Sequence, residues 1–349
     1  MTHSILDLYK DSANFEPLNQ LINQGAQELP GGISPDYLEK DIWVTELLRL
    51  LFDENLLQLN NVAFKGGTAL SKCWDTIHRF SEDIDLSIHW ADLANAPDEQ
   101  NEWTKTTLNR SQKDKFRKEQ SARLLDWATA FTERLNRHLT GYGIKGFFAT
   151  LDPRSNGEKI EVHYPSVMSE SKMYGLDHVL LEFGGRNRGK PTSPVEVTSN
   201  LSEAPSFSTF DLPIANVAAY APDYILWEKL TALHQFCTQT RSLHAHRLSR
   251  HWYDVYQILT KSLSSPFTSE TAMNDVIEMK ANRWPEKGVD FEVAGKGHLN
   301  LVPTQTDRVD ELHKDFRESV KSGMYLHDPG DFRGILKYLK TIEDKINAQ

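Results

Sequence analysis

Cysteine is scarce in this chain: of 349 residues only Cys73 and Cys237 carry a thiol. So few cysteines exclude a disulfide framework and point to a reducing cytoplasm. Long apolar runs are also missing. No stretch approaches the roughly 18 residues of a membrane helix, so no membrane partner is expected. The opening MTHSILDLYKDSANF lacks the basic start and apolar run of a secretory signal. Positive charge is in deficit, 39 Lys and Arg against 49 Asp and Glu, a net charge of −10. That balance excludes a protein that coats nucleic acid by bulk charge. It leaves room for a local basic cleft, with RNRGK at 186–190 and RSLHAHRLSRH at 241–251 as the segments to consider beside a plain solvated surface. There is no G-x-S-x-G, no H-E-x-x-H and no P-loop spacing. Repeats and low-complexity tracts are absent. His244, His246 and His251 have no cysteine among them, and i, i+2 histidines diverge on a helix, which argues against zinc.

What is present is a globular composition, 39% hydrophobic and 25% charged, at a length that suits about two domains. Ser34 and Pro35 open a helix in which Ile42, Leu47, Leu48, Leu51 and Phe52 recur at helical spacing, an amphipathic pattern. A short strand at Val62–Phe64 runs into a glycine pair, then a helix over Ala69–Ile77 and a strand over Ile84–Ile88. Residues 91–140 read as long helices with a solvated connector near Asp98–Lys105. Strands follow at 143–152, 159–166 and 178–185, the first two joined as a hairpin by Asp152-Pro153 and Asn156-Gly157. Pro191 and Pro194 mark a break after the sheet. From Pro222 the pattern is helical, at 223–236, 247–261, 270–281 and in two closing helices, with a long loop at 283–305. Strands mixed with helices and followed by a helical half predict an α+β fold. Trp43, Trp74 and Trp227 read as core.

The chemistry concentrates in FKGGTALSKCWDTIHRFSEDIDL, residues 64–86. Asp83 and Asp85 stand at i and i+2 in an apolar frame, so a strand would point both carboxylates to one face and let them bind one divalent cation. Burying two like charges is costly without such a cation. Gly66, Gly67 and Thr68 form a turn at a helix start, where backbone N–H groups and a hydroxyl can meet phosphate. Lys65 and Lys72 flank it. A phosphate cradle beside a carboxylate pair is what nucleotidyl or phosphoryl transfer needs.

KGGTALSK at 65–72 and RFSEDIDL at 79–86 resemble the nucleotidyltransferase family of AbiEii/AbiGii toxins. The resemblance extends to LEKDIWVTELLRLLF at 38–52, LLEFGGR at 180–186, EKLTALH at 228–234 and RHWYDVYQI at 250–258. It implies a polymerase-β-like core with a mixed sheet over residues 1–205, with N-terminal helices and a helical insertion near 91–140. A helical domain at 206–349 would complete the active site. Asp83, Asp85 and Glu182 would hold Mg²⁺ or Mn²⁺, with Glu161 as the rival for the third carboxylate. Ser81, Arg186 and Lys229 would join Lys65, Gly66, Gly67, Thr68 and Lys72 on the nucleotide. Lys229 and Asp254 would complete the catalytic set, Asp254 paired with Arg247 or Arg250. The implied reaction moves NMP from an NTP to RNA, the tRNA 3′ end above all, as the toxin of a toxin–antitoxin or phage-defence pair whose antitoxin is encoded nearby. The competing readings are a protein or small-molecule acceptor, and an NTP-binding module without chemistry.

Overall fold

The computed structural model describes residues 3–81, 83–94, 109–168, 177–240, 247–283 and 285–348. The expected connector at 98–105 lies outside them, as do His244 and His246. The described chain divides into two compact units, Met1–Cys73 with Phe80–Tyr220, and Trp74–Arg79 with Ala221–Gln349.

The first unit is built on a seven-stranded mixed sheet. Its strands are β2 (Val62–Lys65), β3 (Ile84–His89), β4 (Phe148–Leu151), β5 (Lys159–His163), β6 (His178–Asn187), β7 (Thr192–Thr198) and β9 (Ile214–Tyr220). Across the sheet they run β4-β5-β6-β3-β2-β9-β7, while His3–Ser4 (β1) and Phe210–Asp211 (β8) form a separate parallel pair. β3 pairs with β6, and β2 with β9, in parallel; the other neighbours are antiparallel. The α+β architecture expected from the sequence is therefore the one observed.

Alternation divides the strands cleanly. Ile84, Leu86, Ile88, Ile160, Val162, Val179, Leu181 and Phe183 are buried on one face. A 31-residue helix, α4 (Arg110–Thr140), packs there. Its Trp127 meets Phe183 edge-on at 5.0 Å, and Phe131 meets the same ring at 5.8 Å. Asn109 starts α4 with a capping box, its side chain accepting from Gln112 N while Gln112 Oε1 accepts from Asn109 N. The other face carries Asp85, Glu182 and Lys159.

Several expectations need correction. Helix α2 (Pro35–Phe52), which follows α1 (Phe15–Glu28), is not simply amphipathic: 14 of its 18 residues are buried. Its charged positions tolerate this because each has partners; Glu39, for example, accepts from Ser166 Oγ and Val167 N. The glycine-turn helix α3 spans Gly66–Lys72 and stops there rather than at Ile77; Asp75 has φ +44°, outside any helix. Trp74 is half-buried, whereas Trp43 and Trp227 are fully enclosed. Of 143–152 only Phe148–Leu151 is strand, since Gly143 and Gly146 turn at positive φ. Pro191 and Pro194 do not end the sheet. Pro194 sits inside β7, which among the described residues is an edge strand paired only with β9, and an edge strand tolerates a missing N–H. Strand β9 carries the first unit past position 205 to Tyr220.

The second unit is mainly helical: α5 (Pro222–Thr238), α6 (Arg250–Thr260), α7 (Glu270–Arg283), α8 (Phe291–Ala294), α9 (Thr306–Lys321) and α10 (Phe332–Asn347). The expected loop at 283–305 thus contains a helical turn. Among the described residues no helix is long and apolar enough to cross a membrane.

Candidate active site

Strand β3 and the glycine turn carry the site of the first unit. Asp83 directly precedes the strand and Asp85 lies within it; both are half-buried. Asp85 is the cross-strand partner of Lys65 on one side and of Glu182 on the other, and Glu182 is in turn the partner of Lys159. Paired residues share a face, so the sheet carries a charge row Lys65, Asp85, Glu182, Lys159, with two acids side by side and a cation at each end.

Gly66 has φ +77°, and a Cβ placed on it would lie 1.8 Å from Oδ2 of Asp85. The turn therefore needs glycine twice over, for its backbone and to seat the Asp85 carboxylate. Gly66→Ala should cost about 1–3 kcal/mol of stability through backbone strain and displace Asp85. A melting curve and an NMP-transfer assay on the same preparation check it, with lowered stability and lost transfer expected together.

Thr68 ties the helix to the aspartate segment. Its hydroxyl donates to the carbonyl of Asp83 at 2.5 Å, and Oγ of Ser81 lies 3.1 Å away. Lys72 is drawn to the other side. Its Nζ pairs with Asp41, whose second oxygen accepts from Asn200 N at 2.7 Å, and its side chain is 7% exposed. Arg186 pairs with Glu158 at 3.3 Å, and burial lowers its pKa. These partners also remove Arg186 from the suggested basic surface at 186–190.

Glu182 is not alone either. Lys159 Nζ lies 2.8 Å from its Oε1. Burial by itself would lower the Lys159 pKa; the Glu182 carboxylate, with a smaller contribution from Asp83, raises it instead. Glu161, the rival acid, stands 3.6 Å and 3.9 Å from the His163 and His178 imidazoles, on the strand next to Glu182.

The donors fit a hard cation. Asp83, Asp85 and Glu182 offer only carboxylate oxygens, the chemistry of Mg²⁺ and Mn²⁺ rather than of zinc. Gly66 leaves room for the Asp85 carboxylate without any side chain of its own. Among the described residues no group of three or more His, Cys, Asp or Glu is already gathered as a metal cage. Lys159 on Glu182 accounts for part of that.

In the second unit Asp254 is fully buried, and its partners are not the neighbours expected. Arg79 grips it with two bonds of 2.7 Å from Nε and Nη2, and Lys229 Nζ adds a third at 2.7 Å. Neither Arg247 nor Arg250 takes this place; Arg247 N instead donates to Asp315 at 2.6 Å. Burial would raise the Asp254 carboxyl, but the Arg79 and Lys229 charges outweigh it and hold the pKa well below the usual carboxylate range. His251 lies in α6, where burial, then Lys229 and Arg250, push its pKa well down.

The model of the nucleotidyl transferase AbiEii toxin family, type IV toxin–antitoxin systems, matches residues 49–338. The chain belongs to that family. It is thus a nucleotidyltransferase toxin, and its cognate antitoxin is implied by the same membership. None of the curated proteins matches it. Among solved structures it is similar to MenT4, a nucleotidyltransferase toxin from Mycobacterium tuberculosis H37Rv, at 15% identity and a TM-score of 0.36, over 95% of this chain and 98% of that one.

Two residues of this AbiEii-family chain escaped the sequence reading. Arg79 opens RFSEDIDL, and a buried Asp254 demanded a cation, but nothing linked positions so far apart. Lys159 precedes Glu161 by two residues, and only the register places it on Glu182.

Proposed function

We propose that the toxin transfers a nucleoside monophosphate from an NTP to RNA, with the tRNA 3′ end as acceptor and Mg²⁺ or Mn²⁺ held by Asp83, Asp85 and Glu182. The observation that carries this reading is the register: Asp85 and Glu182 sit side by side on parallel strands, with Asp83 two residues before Asp85. A bound divalent ion would polarise the α-phosphate and lower the pKa of the attacking hydroxyl.

The chain's own groups orient and neutralise. Gly66 and Thr68 fix the aspartates, the first by leaving space and the second by bonding the Asp83 carbonyl. Lys65, Gly66 and Gly67 face the phosphates in this reading. Thr68 and Ser81 bond through their hydroxyls beside the Asp83 carbonyl, and Lys72 pairs with Asp41, so these three support the site rather than touch the nucleotide. The two thiols fit the cytoplasm, and the consequence of tRNA modification is blocked translation in a growth-arrest or phage-defence response.

Lys159 competes with the metal for Glu182. Lys159→Met should tighten Mn²⁺ binding by about two- to fivefold, the worth of a half-exposed ion pair. Calorimetric titration of the full chain checks it, and an unchanged isotherm would show that the pair does not gate the metal. The reaction itself is tested with labelled NTPs, a divalent ion and total RNA. Label on protein bands instead would favour a protein acceptor, and tight NTP binding without turnover would favour a regulatory module.

A further inference from the structure

The chain between α3 and the aspartates does not stay with the first unit. Trp74–Arg79 belongs to the second, and Phe80 opens the return. This short segment is fastened at several points. Lys261 Nζ donates to the Asp75 carbonyl at 2.9 Å and lies 2.7 Å from His78 Nε2. The His78 carbonyl accepts from Leu326 N at 2.9 Å, and Arg79 faces Tyr325 in an antiparallel bridge. Thr76, Ile77 and Arg79 are buried. The segment ends on its firmest hold, the Arg79 guanidinium, which donates from Nε and Nη2 to the two oxygens of Asp254.

Two features set this hold apart from an ordinary packing contact. A forked guanidinium–carboxylate pair fixes direction as well as distance, which a single ammonium bond does not. A buried ion pair also gives little stability over apolar side chains of similar volume; its best-attested use is to specify one geometry. Here that geometry leads into the catalytic motif. Phe80 follows at once and stacks on Tyr37 with centroids 3.6 Å apart and planes 13° from parallel. Asp83 stands four residues beyond Arg79, and Asp85 six. Ahead of the segment, α3 begins at the glycine turn that seats Asp85 and carries Thr68, which holds the Asp83 carbonyl.

We infer that Arg79 is a positioning residue for nucleotidyl transfer. Clasped by Asp254, it fixes the point from which the chain runs into Asp83 and Asp85, and so the spacing of the carboxylates that receive the divalent ion. Lys229, 2.7 Å from the same carboxylate, steadies the clasp. The inference rests on the metal reading above and adds what fixes the segment leading into the aspartates. Groups that orient metal ligands without touching the metal govern affinity nearly as strongly as the ligands do.

The test titrates the full chain with Mn²⁺ by calorimetry, at a temperature where melting curves show each variant folded. Arg79→Lys keeps the charge on Asp254 and gives up the fork. It should weaken Mn²⁺ binding roughly ten- to a hundredfold, as the loss of a ligand-orienting group does, with NMP transfer falling alongside. Leu339 is fully buried in α10 of the same unit. Leu339→Ala opens a cavity there; it should lower the melting temperature and leave Mn²⁺ affinity unmoved. Should Arg79→Lys not fold, Lys261→Met takes its place, since Lys261 is exposed. Loss of its bond to the Asp75 carbonyl should weaken Mn²⁺ binding roughly two- to tenfold, the worth of one hydrogen bond. Wild-type Mn²⁺ affinity in Arg79→Lys, or in Lys261→Met where that variant stands in, would overturn the proposal. So would an equal loss in Leu339→Ala, because stability alone would then account for it. If Asp85→Asn abolishes Mn²⁺ binding and Arg79→Lys leaves it unchanged, the clasp is wrong and the metal reading stands. If the wild type binds no Mn²⁺, both fall.

Discussion

Asp85→Asn should reduce NMP transfer by about three orders of magnitude or more, on the order of 4 kcal/mol of transition-state stabilisation, while the protein stays folded. Asparagine keeps the size and planarity of the side chain, so it still fits against Gly66, where a Cβ would come within 1.8 Å of Oδ2. It removes the charge that stands between Lys65 and Glu182 in the cross-strand row. A hard cation that loses one of two adjacent carboxylates loses most of its hold. The apolar face formed by Ile84, Leu86 and Ile88 is untouched, so the melting temperature should move by no more than a few degrees. Mn²⁺ titration of the same variant should show binding lost together with transfer. Transfer at a tenth of the wild-type rate or better would remove Asp85 from the chemistry.

Asp254→Asn should have the largest effect on stability. The wild-type carboxylate is fully buried and shared by two buried cations, Arg79 and Lys229, at 2.7 Å. An amide cannot balance them, and a buried pair broken from one side costs about 3–5 kcal/mol. For a unit of this size that corresponds to a drop on the order of 10 °C. The pH dependence has a definite sign. The folded pKa of Asp254 is depressed below its unfolded value of about 3.9. Its contribution is therefore complete above about pH 4 and is lost as pH falls towards the folded value. The stability gap between wild type and variant should be flat from neutrality down to that point and shrink below it. A variant melting within 2 °C of wild type at pH 7, on the order of 1 kcal/mol or less, would mean that the cluster contributes little.

The strand, glycine turn and D-x-D of 62–86 were legible because they are local. A β-branched and aromatic segment ends in two glycines, and the next strand has two acids in an apolar frame. The α+β class followed from the same reading, and the family resemblance on KGGTALSK and RFSEDIDL led to a family that the match over 49–338 shows. What stayed hidden depends on distance or on neighbours. Asp254 visibly needed a cation, but its partner Arg79 is 175 residues away in sequence. Lys159 meets Glu182 only through the β5–β6 register. Pro194 signalled a break because sequence does not reveal which strand is an edge. The end of α3 at Lys72 depends on the left-handed Asp75, and aspartate gives no firm sign of that conformation. Lys72 and Thr68 look like phosphate ligands from their spacing, whereas Asp41 and the Asp83 carbonyl engage them.

Metal-dependent transfer of NMP to RNA, proposed above for the carboxylates around Asp85, is open to a direct test. The most direct measurement incubates the full chain with each α-labelled NTP, a divalent ion and total RNA, followed by gel separation with and without RNase. Label on tRNA-sized RNA from one or more NTPs, abolished by chelation and by Asp85→Asn, is the result expected. No label on RNA from any NTP, or equal labelling by wild type and Asp85→Asn, would contradict it.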